Sequence, residues 1–216
     1  DLHFIEGTYP ANLPIVLGHE VAGVVEAVGL GVRNVVPGDR VIVGFVQPCG
    51  HCDRCQSGRP NLCGTQTTLR SPDEPTIRRG DTPVSALANI GGFAEYSITP
   101  ATGLVKVPSD VGLDIAALVG CSVTTGYGAV TNTATVEPGS TVAGIGTGGV
   151  GLNIIHTARL IGARQVIAVD IAEHKLSLAK DFGATDGVNA AVDDAVQKVL
   201  ALSDGGVDYA FEAIGL

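Results

Sequence analysis

The 216-residue sequence predicts an α/β chain in two parts, an all-β module followed by a parallel sheet with helices on both faces, and three observations carry that reading. Residues 1 to about 48 alternate short β-branched runs (15–17, 21–28, 40–46) with turn signals such as Pro37-Gly38-Asp39. Four of the five cysteines crowd into 49–63, a segment too rich in Gly, Pro and polar residues to be ordered by a core. From Ser140 the texture becomes strand, glycine turn, helix, strand, helix.

Taken in order, the segment 64–89 holds Arg70, Asp73, Glu74, Arg78, Arg79 and Asp81 with three prolines, and is expected to be an exposed loop. Strand character is expected again at 91–98, and 110–117 reads as the capped start of a helix. The second module is expected as strand 140–145, helix 150–161, strand 165–170, helix 173–182, helix 192–202 and strand 207–212. The division falls around Val136-Glu137-Pro138-Gly139 in this pattern, and the domains are taken as 1–130 and 131–216.

Composition narrows the class of function. The hydrophobic content of 45% suffices for real cores, and the net charge of −9 with no clustered Lys/Arg stripe speaks against a nucleic-acid partner. No run of 18 apolar residues occurs, nor a basic start followed by an apolar core, so neither a membrane partner nor a secretory signal is expected and the localisation is taken as cytoplasmic. There is no Met, even at position 1, and the run 207–216 is strand-like to its last residue, so the chain is expected to be a piece of a longer one, truncated at both ends.

Cys49, Cys52, Cys55 and Cys63 follow C-x2-C-x2-C-x7-C, and four thiolates at that spacing can close a tetrahedral cage around Zn2+. A closed cage leaves no position for substrate, so its role is structural, and His51 between the ligands is a surface residue. Gly146-Thr147-Gly148-Gly149-Val150-Gly151 fits G-x-G-x-x-G between an expected strand and an expected helix. In that context Gly146 permits the tight turn, Gly148 lets backbone approach a pyrophosphate, and Gly151 lets the helix pack on the strand, with the phosphates at the helix N-terminus. Asp170, 19 residues beyond Gly151, can accept hydrogen bonds from both adenosine ribose hydroxyls and repel a 2′-phosphate, which favours NAD over NADP. Lys175 either reaches the same ribose or is a solvated helix-surface lysine.

A His-Glu step in the glycine-punctuated apolar stretch 18–32 needs a compensating partner if it is desolvated. His19 is therefore either a satisfied core histidine or a metal ligand. Cys121, the one Cys outside the cluster, is either a small core hydrophobe or, with His19, part of a second zinc site.

Gly18-His19-Glu20 with Gly23 and Gly29, the four-Cys lobe, Gly120-Cys121, Thr125-Gly126-Tyr127-Gly128, the glycine fingerprint and Asp170 together resemble the zinc-dependent medium-chain alcohol dehydrogenases over essentially the whole chain. The resemblance implies a GroES-like β catalytic domain followed by a Rossmann domain, and hydride transfer between a primary or secondary alcohol and NAD, with aldehyde or ketone as the other partner. It implies two zinc ions. One is structural, and the other is catalytic, held by His19, Cys121 and a Cys preceding Asp1, with Glu20 approaching it transiently. His3 matches the histidine that ends the family's proton relay. A homo-oligomer, dimer or tetramer, is implied for the full-length protein. The rival readings are a non-catalytic zinc- and nucleotide-binding fragment and a zinc-free quinone reductase-like relative. The four-Cys lobe and the Gly-His-Glu step oppose the latter.

Overall fold

The β-branched runs of the first module do form strands in the computed structural model, which describes residues 1–64 and 76–215, but they are shorter than the sequence pattern. Two units account for the chain, Asp1–Cys121 and Ser122–Leu216. In the first, a short helix α1 (Leu2–Ile5) leads to β1 (Ile15–Val16), β2 (Val21–Val24) and β3 (Arg40–Val43). Beyond Val24 the chain still pairs, with Val25 N–H to Asp39 O and Gly38 N–H to Val25 O, but as a closing loop and not as a ladder. A single helical turn α2 (Asp53–Gln56) lies inside the cysteine-rich lobe.

The expected loop 64–89 is in part a hairpin. β4 (Ile77–Arg79) and β5 (Thr82–Ala86) pair antiparallel around Gly80, whose φ of +60° suits a residue without Cβ. β5 also pairs in parallel with β1, Ile15 opposite Ser85. The charges misled because Arg78 and Arg79 stand on an exposed strand. The positions Arg70, Asp73 and Glu74 lie outside the described residues.

The expected strand 91–98 is absent. Gly91 has φ +60°, and its neighbours spend their N–H groups on the Gly-His-Glu loop, Gly92 to Gly18 O at 2.8 Å and Phe93 to Leu17 O at 2.9 Å. β6 (Leu104–Lys106) completes the antiparallel sheet β2-β3-β6, with Val41 and Val43 buried on its inner face. α3 (Leu113–Leu118) then opens a helical stretch that continues through a wider π segment (Val119–Val123), α4 (Thr124–Gly128) and a second π segment (Ala129–Thr133). By length and composition this stretch, 113–133, would suffice to cross a membrane, with a mean hydropathy of 1.4. At two of its glycines it packs closely: a Cβ on Gly120 would lie 2.6 Å from Val43 O, and one on Gly126 would lie 2.6 Å from Asn153 Cβ.

The second unit follows the sequence pattern closely. β7 (Thr141–Ile145), α5 (Gly149–Leu160), β8 (Gln165–Asp170), α6 (Glu173–Asp181), β9 (Asp186–Asn189), α7 (Ala195–Leu202) and β10 (Tyr209–Glu212) build a four-stranded parallel sheet of order β10-β7-β8-β9. β7 and β8 are buried along nearly their whole length, as expected of strands covered on both faces. α5 presents Gly151, Ile154, Ile155 and Ala158, at helical spacing, to a core with Val142, Val166 and Ala168. α7 starts three residues later than expected because the Asp194 carboxylate caps it, accepting from Gln197 N–H at 3.1 Å. β9 contains only one buried apolar residue, Val188, which explains why no run of the sequence announces it.

Candidate functional site

The four-cysteine lobe brings its donors together. The Sγ atoms of Cys49, Cys52, Cys55 and Cys63 all lie within 4.8 Å of one another. The pairs Cys52–Cys55, Cys49–Cys55 and Cys52–Cys63 stand at 3.5, 3.9 and 4.0 Å. A regular tetrahedron of sulfurs around Zn2+ has edges of about 3.8 Å, so the set fits the ion. Backbone N–H groups already point at the sulfurs, Cys52 N to Cys49 Sγ at 3.3 Å and Cys49 N to Cys63 Sγ at 3.4 Å, as thiolates require. Burial, and after it the three neighbouring thiols, push the Cys55 thiol up to about 12; a divalent cation reverses that balance. None of the five cysteines is in a disulfide.

The Gly-His-Glu loop is held by a residue that the sequence did not single out. The Asp1 carboxylate accepts Gly18 N–H at Oδ1, 2.8 Å, and places Oδ2 3.0 Å from His19 Nδ1, off the ideal line of that N–H. A carboxylate on one ring nitrogen fixes the imidazole and leaves Nε2 for another partner, the arrangement of metal-bound histidines. Burial keeps His19 below the ordinary imidazole pKa against the opposing pull of Glu20, which favours the neutral ring. Gly18 must be glycine: its φ is +91° and a Cβ would sit 2.5 Å from Phe93 N.

Cys121 and His19 are a hundred residues apart, yet one residue links their surroundings. Phe45 stacks edge-on against the His19 ring, centroids 5.5 Å apart, while its N–H donates to Gly120 O at 3.2 Å. Glu20 stands at the rim of a cavity of about 690 Å³ within this unit, walled by Val21, Val43 and Leu104 among others. His3 lies on α1, two residues from Asp1, with its ring stacked on Tyr9 at 4.9 Å. His51 is exposed, and its Nδ1 is 2.9 Å from Cys49 O.

The glycine turn and Asp170 also come together. Gly146, with φ +88°, makes the turn out of β7, and a Cβ on Gly151 would fall 1.8 Å from Gly146 O. Gly148 differs, because a Cβ there meets nothing within 4 Å. Its freedom from side chain serves open space in front of the α5 N-terminus, where Gly149 and Val150 begin the helix, and that space suits a pyrophosphate. Asp170 is 9% exposed. Its Oδ2 accepts both N–H and Oγ1–H of Thr147 at 2.8 Å, and its Oδ1 accepts Ala172 N–H at 3.0 Å. Burial raises its pKa, but the donors from Thr147 and Ala172, then the nearby Lys175 charge, outweigh burial and hold it below the ordinary carboxylate value.

Comparison with known proteins agrees with this geometry. Residues 1–109 match the family model described as alcohol dehydrogenase GroES-like domain, and residues 149–216 match that of zinc-binding dehydrogenase. The chain is 44% identical over its whole length to a probable S-(hydroxymethyl)glutathione dehydrogenase 1 of Schizosaccharomyces pombe, of which it spans 59%. Among solved structures, an alcohol dehydrogenase zinc-binding domain protein from Burkholderia ambifaria matches with TM-score 0.90 at 37% identity, over 100% of this chain and 60% of that one. Benzyl alcohol dehydrogenase from Acinetobacter calcoaceticus matches with TM-score 0.87 at 35% identity, over 100% and 59%. The chain thus spans about three fifths of the curated relatives it matches.

Proposed function

The chain belongs to the zinc-dependent medium-chain alcohol dehydrogenases, and we propose that the protein interconverts a primary or secondary alcohol and its aldehyde or ketone by hydride transfer to and from NAD. The observation that carries this reading is the Asp1 carboxylate, which accepts Gly18 N–H and stands 3.0 Å from His19 Nδ1. It presets an imidazole for a metal in the same unit as the four-cysteine lobe.

When bound, zinc supplies a Lewis acid for the alcohol oxygen, and NAD supplies the hydride acceptor. The chain's own residues do the rest. His19 Nε2 and the Cys121 sulfur would be two donors to the catalytic metal, and Glu20, next to His19 in the chain, would approach it. Asp1 sets a carboxylate oxygen 3.0 Å from Nδ1 of the His19 ring. His3 passes the alcohol proton outward. The turn 146–151 receives the pyrophosphate on backbone N–H groups, and Asp170 meets the adenosine ribose with Lys175 alongside. Cys49, Cys52, Cys55 and Cys63 bind the second, structural zinc.

Two substrate classes follow from the relatives, an aromatic primary alcohol and the glutathione adduct of formaldehyde, and both belong in the test panel. The protein acts as a soluble cytoplasmic homo-oligomer with neither nucleic acid nor membrane as partner; the net charge of −9 speaks against the nucleic acid. The test is metal counting joined to turnover. Two zinc ions per chain, one removed faster by chelator, and NADH formation with benzyl alcohol or S-(hydroxymethyl)glutathione are expected. A single tightly held zinc with no NADH formed across the panel would overturn the reading in favour of a non-catalytic zinc protein.

A further inference from the structure

A carboxylate offers roughly four acceptor positions, and the chain itself fills three of those on Asp170. Thr147 donates twice to Oδ2, Ala172 once to Oδ1. The turn does not need a hydroxyl at Thr147, since the G-x-G-x-x-G pattern leaves that position open. Yet Thr147 is only 2% exposed and its Oγ1 is aimed at the carboxylate. Lys175 places a positive charge near the same group.

We propose that Thr147 is a positioning residue that sets cofactor specificity: it pins Oδ2 of Asp170, leaves the open acceptor on Oδ1, and so fixes a negative charge against the 2′ position of an adenosine ribose. This rests on the reading of Asp170 as the ribose contact. A ribose hydroxyl donates to the open position on Oδ1 without reorienting the carboxylate that Thr147 pins through Oδ2. A 2′-phosphate meets an anion that cannot turn away. Released from Thr147, the carboxylate can rotate, and Lys175 then offers a 2′-phosphate the counter-charge that Asp170 had cancelled.

The fold contains its own control. Thr141 and Asp208 repeat the pair at the other end of β7, with Thr141 N–H and Oγ1–H both donating to Asp208 Oδ2 at 2.8 Å, and Thr141 is 1% exposed. Removing either hydroxyl by Thr→Val deprives a carboxylate of the same donor. Only one of the two carboxylates faces the cofactor in the proposed function.

The experiment is calorimetric titration of the zinc-loaded chain with ADP-ribose and with 2′-phospho-ADP-ribose. Wild type is expected to prefer ADP-ribose. Thr147→Val is expected to weaken ADP-ribose binding about fivefold and to lower the preference about tenfold, and Thr147→Ser to restore both to within about twofold. Thr141→Val, which also removes the acceptor of Asp208 N–H, is expected to lower the unfolding midpoint at least as much as Thr147→Val while binding both probes as wild type does. Should Thr147→Val not fold, Thr147→Cys, with its weak donor, takes its place with the same expectations. Wild-type preference retained in the Thr147 variant, or lost equally in Thr141→Val, overturns the proposal. Wild type binding neither probe overturns instead the cofactor reading on which it stands.

Discussion

Gly148 and Gly151 stand three residues apart in one turn, and alanine at each should separate binding from folding. At Gly148 a Cβ meets nothing within 4 Å, and the backbone there, φ −77°, accepts any L-residue. Gly148→Ala should leave stability unchanged or raise it by about 0.4–1 kcal/mol through the unfolded chain. It nevertheless puts a methyl group where a pyrophosphate must approach backbone, so affinity for ADP-ribose should fall tenfold or more, about 1.4 kcal/mol. At Gly151 the added Cβ would lie 1.8 Å from Gly146 O, well over an ångström inside ordinary contact, and both partners belong to backbone that cannot swing aside. Overpacking of that kind costs about 3 kcal/mol at the upper end of its usual range, a fall in melting temperature of roughly 6–12 °C for a chain of this size. Thermal melts by circular dichroism and ADP-ribose titration read the two effects independently. Gly148→Ala that binds as wild type does, or Gly151→Ala that melts at the wild-type temperature, would refute the division of roles.

Asp1→Asn removes the negative charge beside His19 Nδ1 but keeps an acceptor for Gly18 N–H; zinc or cobalt affinity at the His19 centre should drop about 10- to 100-fold, while metal in the four-cysteine lobe stays, as a two-phase chelator experiment will show. Cys52→Ser breaks a tetrahedral set in a segment with no buried apolar side chains in its helical turn, so limited proteolysis should cut within 49–63 of the variant and spare the wild type. The folded pKa of Asp170 lies below its ordinary value of 3.8, so its contribution to stability is fully present above about pH 4 and is lost as pH falls through the lower folded-state value. Asp170→Asn should remove that contribution at neutral pH and flatten the acid limb of the stability curve. An unchanged limb in the melts would mean that the Thr147 donors do not favour the ionised form.

The second unit was legible almost element by element because its signals are local. β7 and β8 each hold a continuous apolar run, 142–145 and 166–169, and the glycines of 146–151 mark one turn between strand and helix. The four-cysteine lobe was legible for the same reason, its donors lying within 15 residues. The first unit was less so. Hairpin β4–β5 carries Arg78 and Arg79 outward, and charge on an edge strand reads like charge on a loop. The segment 91–98 has strand composition, but its N–H groups go to Gly18 and Leu17, a long-range demand that no local pattern expresses. Nothing local to Asp1 marks it as a support for the Gly-His-Glu loop. Only the fold shows that 17 residues on it meets Gly18 and His19.

The same contrast between local and distant donors bears on when each of the two proposed metal centres can form. The four-cysteine set sits on one short segment, with a helical turn and two N–H···S bonds inside it, so an ion can organise it with little of the remaining fold in place. The centre at His19 has no such independence. Its surroundings need Asp1 on the Gly18 loop, the brace from Gly92 and Phe93, Phe45 at the end of β3, and Gly120 pressed to within a missing Cβ of Val43 O. A metal there can bind only after those strands are joined, and loop-closure entropy sets that step late. Glycine at 18, 92 and 120 is then the condition for the site as much as His19 is. A Cβ at any of the three would meet backbone or the half-buried Val21 side chain at 2.6 Å or less, and would move the histidine's supports before it touched the histidine.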